Sequence, residues 1–323
     1  MGVLNQESFE IPVISIGNLS LGGTGKTPHI EYLIRLLKER FRIAILSRGY
    51  GRKTEGFILA TKETDVKTIG DEPLQYIRKF DGIKVAVDEK RARGIHELIE
   101  KSPDMDAILL DDAYQHRYVK PGLSILLTDY HHMYHDDFVV PSGRLREFVY
   151  GAHRADIIIV TKTPKIFSPI TRRGILEDIK PKTHQKIFFS YIKYGDPVPV
   201  YNSSSGTFPN KLTSLLLFTG IANDYPLKEH LSRYCSDITT LKFGDHHQYI
   251  TGDIEKINKK FHDLPTQSKV IITTEKDVMR LKTDELTPFI KDLPLFYLPI
   301  EVDFHDKDKQ AFNSAILKYV SKK

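Results

Sequence analysis

The sequence of 323 residues contains no tryptophan and only one cysteine, and it lacks any long apolar segment. The single Cys235 excludes a disulfide within the chain, fits a reducing compartment and is expected to be structural. No run approaches the roughly 18 apolar residues of a membrane span, and we expect no signal peptide. The excess of positive charge is also small, with 47 Lys and Arg against 42 Asp and Glu. This mild excess suits phosphate ligands or an anionic membrane surface and does not indicate nucleic-acid binding.

The proportions of hydrophobic (40%) and charged (28%) residues are those of an ordinary globular protein, which argues against disorder. The first half alternates short apolar runs with amphipathic stretches. Six strands are predicted: Ile11–Ile16, Arg42–Leu46, Lys84–Val87, Ala107–Leu110, Leu123–Leu127 and Asp156–Val160. Helices are predicted between some of them, over Pro28–Arg40 and Glu89–Lys101. Nearly continuous apolar strands that alternate with helices are typical of an α/β protein with a doubly wound, mainly parallel sheet.

The second half has a different composition. Pro164, Pro169 and Pro181, with basic residues between them, predict a connector. Four further strands are predicted: Lys186–Tyr191, Ser214–Thr219, Val270–Thr274 and Leu295–Pro299. Two of these strands lead into short helices, over Asp224–Tyr234 and Lys276–Leu281. We therefore expect a nucleotide-binding domain over residues 1–165 and a smaller α/β domain over residues 166–323.

A glycine-rich loop joins the first predicted strand to the first predicted helix. It spans Gly17–Thr27, and Pro28 follows in the first helical turn, which indicates the P-loop NTPase type of sheet. Glycines let backbone N–H groups turn towards a polyphosphate, and the helix dipole favours its charge. Lys26 is expected to reach the β- and γ-phosphates, and the Thr27 hydroxyl to bind Mg²⁺. Ser20 stands where the usual pattern has glycine. The residues assigned to nucleotide binding are Leu21, Gly22, Gly23, Thr24, Gly25, Lys26, Thr27 and Pro28.

A pair of aspartates follows the apolar strand Ala107–Leu110. In a P-loop enzyme, an acidic residue at the end of such a strand holds Mg²⁺, directly or through water. Asp111 and Asp112 are both candidates, and the sequence does not decide which of them contacts the ion. A buried strand that ends in aspartates is common, so the prediction depends on the pairing with the glycine-rich loop.

A regulatory or assembly switch is the alternative to an enzyme. A guanine-nucleotide switch carries Asp-x-x-Gly after a strand, and Asn or Thr followed by Lys-x-Asp for the base. The chain contains no Asp-x-x-Gly, and Thr161–Thr163 is followed by Pro164 in place of that aspartate. The motifs therefore favour a kinase, with the nucleotide switch kept as the alternative.

A kinase also needs a base or orienting group for the acceptor hydroxyl, and cations for phosphate groups. Asp71 is either that base or the N-cap of a helix over Leu74–Phe80. Arg48 and Arg52 lie on a loop with glycines, which is either an anion site or a solvated basic loop. The other candidates are Glu72 beside Asp71, Arg144 and Arg146 beside a turn, His246 and His247 after Asp245, and a metal site at His131, His132 and His135.

Seven segments, in order, resemble the tetraacyldisaccharide 4′-kinase family, the lipid A kinases. They are Gly17–Pro28, Ser47–Arg52, Gly70–Pro73, Leu110–His116, Pro141–Glu147, Phe243–His246 and Thr274–Asp277. The resemblance extends from Ile11 to Leu281 and so covers most of the chain. It implies transfer of the γ-phosphate of ATP to the 4′-hydroxyl of tetraacyldisaccharide 1-phosphate, which forms lipid IVA. It also implies that the smaller domain closes over the active-site cleft.

The resemblance assigns roles to individual residues. It implies that Asp71 is the catalytic base, that His246 orients it or tunes its pKa, and that Arg146 neutralises the transferring phosphoryl group. Lys26 and Thr27 are placed around the triphosphate. The residues implied around Mg²⁺ are Thr27, Glu72, Asp111 and Asp112, and those implied at the substrate are Arg48, Arg52 and Arg144. The implied cofactors are ATP and Mg²⁺. The implied partners are the acylated disaccharide lipid and an anionic membrane surface, and neither nucleic acid nor a protein partner is implied.

The sequence departs from the family in two places. Ala113 follows the aspartate pair where members often have glycine, and one methyl group there is expected to be tolerated. Ser20 is not a departure, because the family's loop spaces its glycines in the same way. Members typically begin with a hydrophobic membrane helix, and this sequence starts after it. Either this helix has been removed from the chain, or this member attaches peripherally. We expect this chain to attach peripherally to the cytoplasmic face of the bacterial inner membrane, with activity that depends on detergent or lipid.

Overall fold

The computed structural model describes residues 6–201, 208–209, 211–221, 223–245 and 247–322. Contacts within the chain divide it into two compact units, Met1–Lys193 with Glu301–Lys323, and Tyr194–Ile300. This division differs from the expected boundary between residues 165 and 166. The physical reason is strand pairing, because segments beyond residue 165 supply two further strands to the sheet of the first unit.

Within the described residues, nine strands form the sheet of the first unit. They are β1 (Val13–Asn18), β2 (Ile43–Ser47), β3 (Ile58–Leu59), β4 (Lys84–Val87), β5 (Ala107–Leu110), β6 (Leu123–Asp129), β7 (Ile157–Thr161), β8 (Lys186–Tyr194) and β14 (Ile300–Phe304). Their order is β14-β8-β7-β6-β1-β5-β2-β4-β3. β1 pairs in parallel with β5 on one side and with β6 on the other, as in a doubly wound sheet. The predicted α/β class and mainly parallel sheet are confirmed, and β3 pairs antiparallel with β4 at one edge of this sheet.

Helices cover this sheet: α1 (Lys26–Leu37), α2 (Val66–Ile69), α3 (Asp71–Lys79), α4 (Arg91–Lys101), α5 (Pro169–Ile179) and α10 (Asp306–Val320). α1 buries Ile30, Leu33, Ile34 and Leu37, a spacing that forms one apolar stripe along a helix. These residues pack with strand residues in the largest core cluster, which Phe312 and other residues of α10 also join. In the part of the chain that the structure describes, no helix is both long and apolar enough to span a membrane.

Two local predictions are corrected. α1 begins at Lys26 and not at Pro28, because Gly25 takes a left-handed conformation and serves as the N-cap. The predicted connector between residues 164 and 181 contains α5. Ser168 caps this helix by accepting a hydrogen bond from Ile170 N. Pro169 occupies the first helical position, where the missing N–H of proline costs no hydrogen bond within the helix.

The second unit is a smaller α/β structure, as expected. Its sheet has the order β11-β10-β12-β13-β9. The strands are β9 (Val198–Pro199), β10 (Ser214–Thr219), β11 (Asp237–Lys242), β12 (Lys269–Thr274) and β13 (Leu295–Leu298). The helices are α6 (Tyr225–Leu231), α7 (Thr251–His262), α8 (Glu275–Leu281) and α9 (Thr287–Ile290). β11 and α7 were absent from the prediction, because the two threonines of β11 and the many charges of α7 weaken their apolar pattern.

Candidate active site

The candidate site lies at the carboxyl end of β1, where the loop of residues 19–25 leads into α1. Gly25 has a φ of 89°, a conformation that L side chains rarely adopt. Among the described residues, no side chain caps the first N–H groups of α1. A helix N-terminus of this kind binds anions, because its N–H groups and its dipole both favour negative charge.

A second segment, residues 138–146, runs beside this loop. Leu21 N donates a hydrogen bond to Arg144 O (2.6 Å), and Arg146 N donates to Leu19 O (2.7 Å). Within the loop, Asn18 Nδ2 donates to the backbone oxygen of Ser20 (2.6 Å). These bonds define the path of the loop up to its glycines and place Arg146 next to it.

Lys26 and Thr27 contact acidic side chains from two other segments. Lys26 Nζ lies 3.6 Å from Asp112 Oδ2 and donates to Asn18 Oδ1 (3.4 Å). The hydroxyl of Thr27 donates to Glu72 Oε1 (2.7 Å). The fold therefore brings the loop after β5 and the start of α3 next to the glycine-rich loop.

The position of α3 excludes one of the two interpretations of Asp71. α3 begins at Asp71, so that Asp71 and Glu72 lie in its first turn and Gly70 is the N-cap. Asp71 is therefore not the cap of a helix that starts at Leu74. Gly70 has a φ of 88°, and a Cβ there would lie 2.7 Å from the backbone oxygen of Tyr50. This close approach requires glycine at the position that precedes Asp71 and Glu72.

Asp111 directly follows β5 and is fully buried. Burial, together with the nearby carboxylates of Glu72 and Asp112, raises the pKa of Asp111 to about 7. The Lys26 ammonium opposes this shift. Oδ2 of Asp111 accepts a hydrogen bond from Tyr76 (3.3 Å), whereas Oδ1 has no hydrogen-bond partner among the described residues. A buried oxygen without a donor, close to other carboxylates, is a position that a cation would satisfy.

Asp112 is held from two sides. Its two carboxylate oxygens each lie 3.2 Å from Nη1 of Arg146, and Lys26 is its second cationic partner. Arg146 Nη1 also donates to Gln115 Oε1 (3.4 Å), and Gln115 Nε2 donates to Asn18 O (2.7 Å). Arg146, Asp112 and Lys26 thus form one charged cluster beside the phosphate-binding loop.

The oxygen donors here fit a Mg²⁺ ion whose coordination is completed by nucleotide and water. The Thr27 hydroxyl and the carboxylates of Glu72, Asp111 and Asp112 are ligands of the type that Mg²⁺ prefers. Over the described residues, no three His, Cys, Asp or Glu side chains form a metal site by themselves. A Mg²⁺ site at a nucleotide commonly uses one or two carboxylates together with phosphates. The unpartnered Oδ1 of Asp111 supports the fit.

Arg48 lies in a positively charged part of the site. Burial, followed by the charges of Arg91 and Arg48, lowers the pKa of His116 to about 4. Burial likewise lowers the pKa of Arg91 to about 10, against the effect of Asp111 and Asp112. Arg91 Nη2 donates to the backbone oxygen of Asp111 (3.3 Å). Arg48 therefore lies close enough to Arg91 and His116 for its charge to act on both of them.

The other two predicted substrate arginines already have acidic partners. Arg52 Nη2 donates to Glu89 Oε2 (2.6 Å) and to Gly56 O (2.9 Å), and its side chain is buried. This geometry favours an internal ion pair that supports the loop after β2 over the expected anion site. Arg144 is more exposed and pairs with Asp137 through Nε (3.3 Å).

His246, which is predicted to act with Asp71, lies outside the described residues. The residues that follow it in the second unit are held by two carboxylates. His247 Nε2 lies 2.8 Å from Asp253 Oδ2, and the Tyr249 hydroxyl donates to Asp277 Oδ1 (3.0 Å).

Two further sequence candidates lie apart from this site. His131 and His132 are exposed, and His135 pairs with Asp136 (3.2 Å), so that the three histidines form no metal site in the described structure. Cys235 is buried, which raises the pKa of its thiol and agrees with a structural residue.

The motifs assign no role to four residues that the structure places in the site: Asn18, Tyr76, Arg91 and Gln115. Asn18 and Gln115 lie inside the motifs Gly17–Pro28 and Leu110–His116, and this position in the sequence could have identified them as site residues. Tyr76 lies one helical turn after Glu72, a spacing that places both on the same face of α3. Arg91 follows β4, whose carboxyl end meets the same edge of the sheet.

Comparisons with known proteins agree on one family. The family model described as tetraacyldisaccharide-1-P 4′-kinase, LpxK, matches residues 1–321. The chain is 46% identical to the tetraacyldisaccharide 4′-kinase of Bacteroides thetaiotaomicron, over 99% of this chain and 87% of that protein. It is 48% identical to the enzyme of the same name from Parabacteroides distasonis, over 98% and 88%. Its fold is similar to the crystal structure of "apo" form LpxK from Aquifex aeolicus in complex with ATP, with a TM-score of 0.72, 25% identity and coverage of 98% and 91%.

Proposed function

This chain belongs to the tetraacyldisaccharide-1-P 4′-kinase family, and from that membership we propose how its own residues carry out the reaction. The chain is an ATP-dependent kinase of lipid A biosynthesis. It transfers the γ-phosphate of ATP to the 4′-hydroxyl of tetraacyldisaccharide 1-phosphate, and the product is lipid IVA.

One observation carries the assignment of the site. Lys26 lies 3.6 Å from Asp112, and Thr27 donates to Glu72, so that a phosphate-binding lysine and a metal-binding hydroxyl both face carboxylates. Phosphoryl transfer requires this combination, because the cations neutralise the phosphates while the carboxylates hold Mg²⁺. The helix N-terminus at Gly25 adds backbone N–H groups for the same anion.

We assign residues 21–28 to the triphosphate, with Lys26 at the β- and γ-phosphates. Thr27, Glu72, Asp111 and Asp112 would hold Mg²⁺, which supplies charge neutralisation on the phosphates when it is bound. Arg146 is placed to neutralise the transferring phosphoryl group, since it already lies in one charged cluster with Lys26 and Asp112.

Asp71 is proposed as the general base. Its carboxylate accepts the proton of the 4′-hydroxyl while the hydroxyl oxygen bonds to the γ-phosphorus and the bond to the bridging oxygen breaks, which releases ADP. The first turn of α3 favours a negative charge at Asp71, because the helix dipole is positive there. His246 is proposed to orient Asp71 or to tune its pKa.

Arg48 and Arg144 are proposed to contact phosphate on the acceptor. Arg48 is exposed and lies near Arg91 and His116, and Arg144 is exposed next to the phosphate-binding loop. Arg52 is proposed to act indirectly, through its ion pair with Glu89.

The alternative of a regulatory or assembly switch is not favoured. The chain lacks Asp-x-x-Gly, and Pro164 stands at the position of the aspartate that would recognise guanine. Family membership and the base candidate Asp71 both support a kinase. We also propose that the enzyme works at the cytoplasmic face of the bacterial inner membrane, where its acylated substrate is located.

The test follows radiolabelled γ-phosphate from Mg-ATP onto tetraacyldisaccharide 1-phosphate in mixed micelles. Label is expected in a lipid more polar than the acceptor. Lys26→Ala is expected to reduce this transfer at least about 10²-fold, because a positioned charge is lost. Lys101→Ala, an exposed lysine on α4, serves as the matched control.

Two outcomes would change the proposal. Label that is released only as inorganic phosphate would keep the nucleotide site and reject the lipid acceptor. Transfer that persists unchanged in Lys26→Ala would reject the assignment of the phosphate-binding loop itself.

A further inference from the structure

Several of the most exposed hydrophobic side chains of the first unit follow two adjacent strands, β6 and β7. They are Phe138, Val140, Phe148, Tyr150, Ile166 and Ile170. β6 and β7 are parallel neighbours, and β6 also pairs in parallel with β1. Loops at the carboxyl ends of parallel strands emerge at the same edge of a sheet. Ile166 and Ile170 closely follow the carboxyl end of β7 and therefore lie at the edge that carries the phosphate-binding loop.

Ile166 and Ile170 are the most exposed large hydrophobic residues in the described structure, at 94% and 82%. The residue next to Ile166 is fixed, because the ring of Phe167 stacks on His305 (5.4 Å between centroids) and packs against Phe189 (5.1 Å). The exposed isoleucines are therefore presented by a firmly packed segment. Apolar groups held in water on a rigid support indicate an interaction surface.

Unpaired positive charge accompanies these isoleucines. Residues 157–176 contain no aspartate or glutamate. Arg172 in this stretch pairs with Asp308 through two 2.7 Å hydrogen bonds, which anchors α5. Lys165 and Arg173 are exposed, and no acidic side chain of the described residues pairs with them. Two free cations next to two exposed isoleucines match a surface that is both anionic and apolar.

The connection between β6 and β7 also exposes aromatic residues. Phe148 and Tyr150 are 77% and 76% exposed. Their loop is also anchored, because the Tyr114 hydroxyl donates to Gly151 O (2.8 Å). Exposed aromatic rings of this kind are favoured at the boundary between lipid headgroups and acyl chains.

We propose that residues 164–173, named here the bilayer-docking surface, bind an anionic lipid bilayer. Ile166 and Ile170 enter the interface, and Lys165 and Arg173 contact anionic headgroups. The inference rests on the proposed function, because it explains how the site reaches an acylated substrate that lies in a membrane. A bilayer suits this surface better than a folded protein partner does. A folded partner would need acidic side chains placed to match Lys165 and Arg173, whereas anionic lipid headgroups can move to meet them.

The test is sedimentation of the full chain with vesicles of phosphatidylcholine, with and without phosphatidylglycerol. The double variant Ile166→Ser/Ile170→Ser is expected to weaken binding at least about tenfold, because two apolar side chains no longer enter the interface. Lys165→Glu/Arg173→Glu is expected to weaken binding about tenfold and to abolish the preference for phosphatidylglycerol. Tyr118→Ser is the matched control, an exposed aromatic residue that precedes β6 and so lies at the opposite edge.

Ile166→Phe/Ile170→Phe should bind vesicles like the unchanged chain, which separates loss of apolar insertion from a failure to fold. The isoleucine-to-serine variant should also keep its transfer activity in detergent micelles and lose it at least severalfold on vesicles that contain the acceptor. Vesicle binding that is equal in the serine variant and the unchanged chain would overturn the bilayer-docking surface, as would an unchanged chain that does not bind vesicles. Absent lipid phosphorylation in micelles would instead refute the proposed function, while the sedimentation result would still decide the docking.

Discussion

The hydroxyl of Thr27 donates a 2.7 Å hydrogen bond to Glu72 Oε1 and so joins two motifs that are 45 residues apart. Thr27 belongs to the first turn of α1, and Glu72 belongs to the first turn of α3. Two helix N-termini therefore meet where phosphate and metal charges are expected to gather. The buried carboxylate of Asp111 completes this group, since Glu72 is one of the charges that raise its pKa.

Glu72→Gln tests this contact, because glutamine keeps the shape of the side chain and removes its charge. We expect the Mg²⁺ concentration for half-maximal activity to rise at least about tenfold, since a carboxylate ligand is lost. The measurement is a Mg²⁺ titration of lipid phosphorylation. Glu100→Gln, an exposed glutamate on α4, should leave the titration unchanged. An unaltered Mg²⁺ requirement in Glu72→Gln would contradict the assigned role.

Asp71→Asn removes the proposed base. We expect kcat to fall at least about 10²-fold, because the 4′-hydroxyl loses its proton acceptor, while the KM for ATP changes little. Steady-state kinetics at saturating lipid would measure both constants. Asp81→Asn is the control, an exposed aspartate just after α3. Near-normal turnover in Asp71→Asn would remove Asp71 from the mechanism.

Asp277 is predicted to be a principal stabilising residue of the second unit. Its buried carboxylate accepts hydrogen bonds from Gly220 N (3.1 Å), Tyr249 (3.0 Å) and Thr274 (2.7 Å), and it pairs with the fully buried Arg280. Asp277→Ala breaks the buried ion pair with Arg280 and removes the acceptor of these three hydrogen bonds, and we expect a loss of about 3 to 5 kcal/mol in the free energy of unfolding.

Urea unfolding followed by circular dichroism would measure the effect of Asp277→Ala. Asp284→Ala, at an exposed position beyond α8, should change the unfolding free energy by no more than about 0.5 kcal/mol. A loss below about 1 kcal/mol in Asp277→Ala would show that the network contributes little net stability.

His29 predicts a pH dependence of stability. Its Nδ1 donates to Gly25 O (2.7 Å), its Nε2 lies 2.9 Å from Ser190 Oγ, and burial lowers its pKa from 6.5 to about 4. Above pH 6.5 the imidazole is neutral in both the folded and the unfolded chain and contributes no pH dependence. Between pH 6.5 and 4 the unfolded chain binds a proton that the folded chain excludes, so stability falls as the pH falls.

The measurement compares the unfolding free energy of the unchanged chain and His29→Gln at pH 7 and pH 4.5. The unchanged chain should lose about 2 to 3 kcal/mol more than the variant over this interval. Equal losses would mean that His29 is protonated in the folded chain at the same pH as in the unfolded chain.

Features that depend on neighbours in the sequence could be predicted without the structure. The apolar run before Gly17, the glycines up to Gly25 and the pair Lys26 and Thr27 act through local backbone geometry, and the structure places them as a strand, a loop and a helix start. The apolar strands likewise follow from their composition, because a strand buried on both faces needs hydrophobic side chains throughout. For the same reason the ordered motifs were enough to identify the family.

Features that depend on which segments meet in space were decided only by the tertiary structure. The division of the chain could not be predicted, because β8 and β14 join the first sheet through pairing with distant strands. Arg52 has the sequence context of an anion site. In the structure, however, its guanidinium already forms an ion pair with Glu89, which lies 37 residues away in the sequence. Asp111 and Asp112 are adjacent and chemically identical in the sequence. Burial in the folded chain distinguishes them. Asp111 is excluded from water, whereas Asp112 is partly exposed and pairs with Lys26 and Arg146.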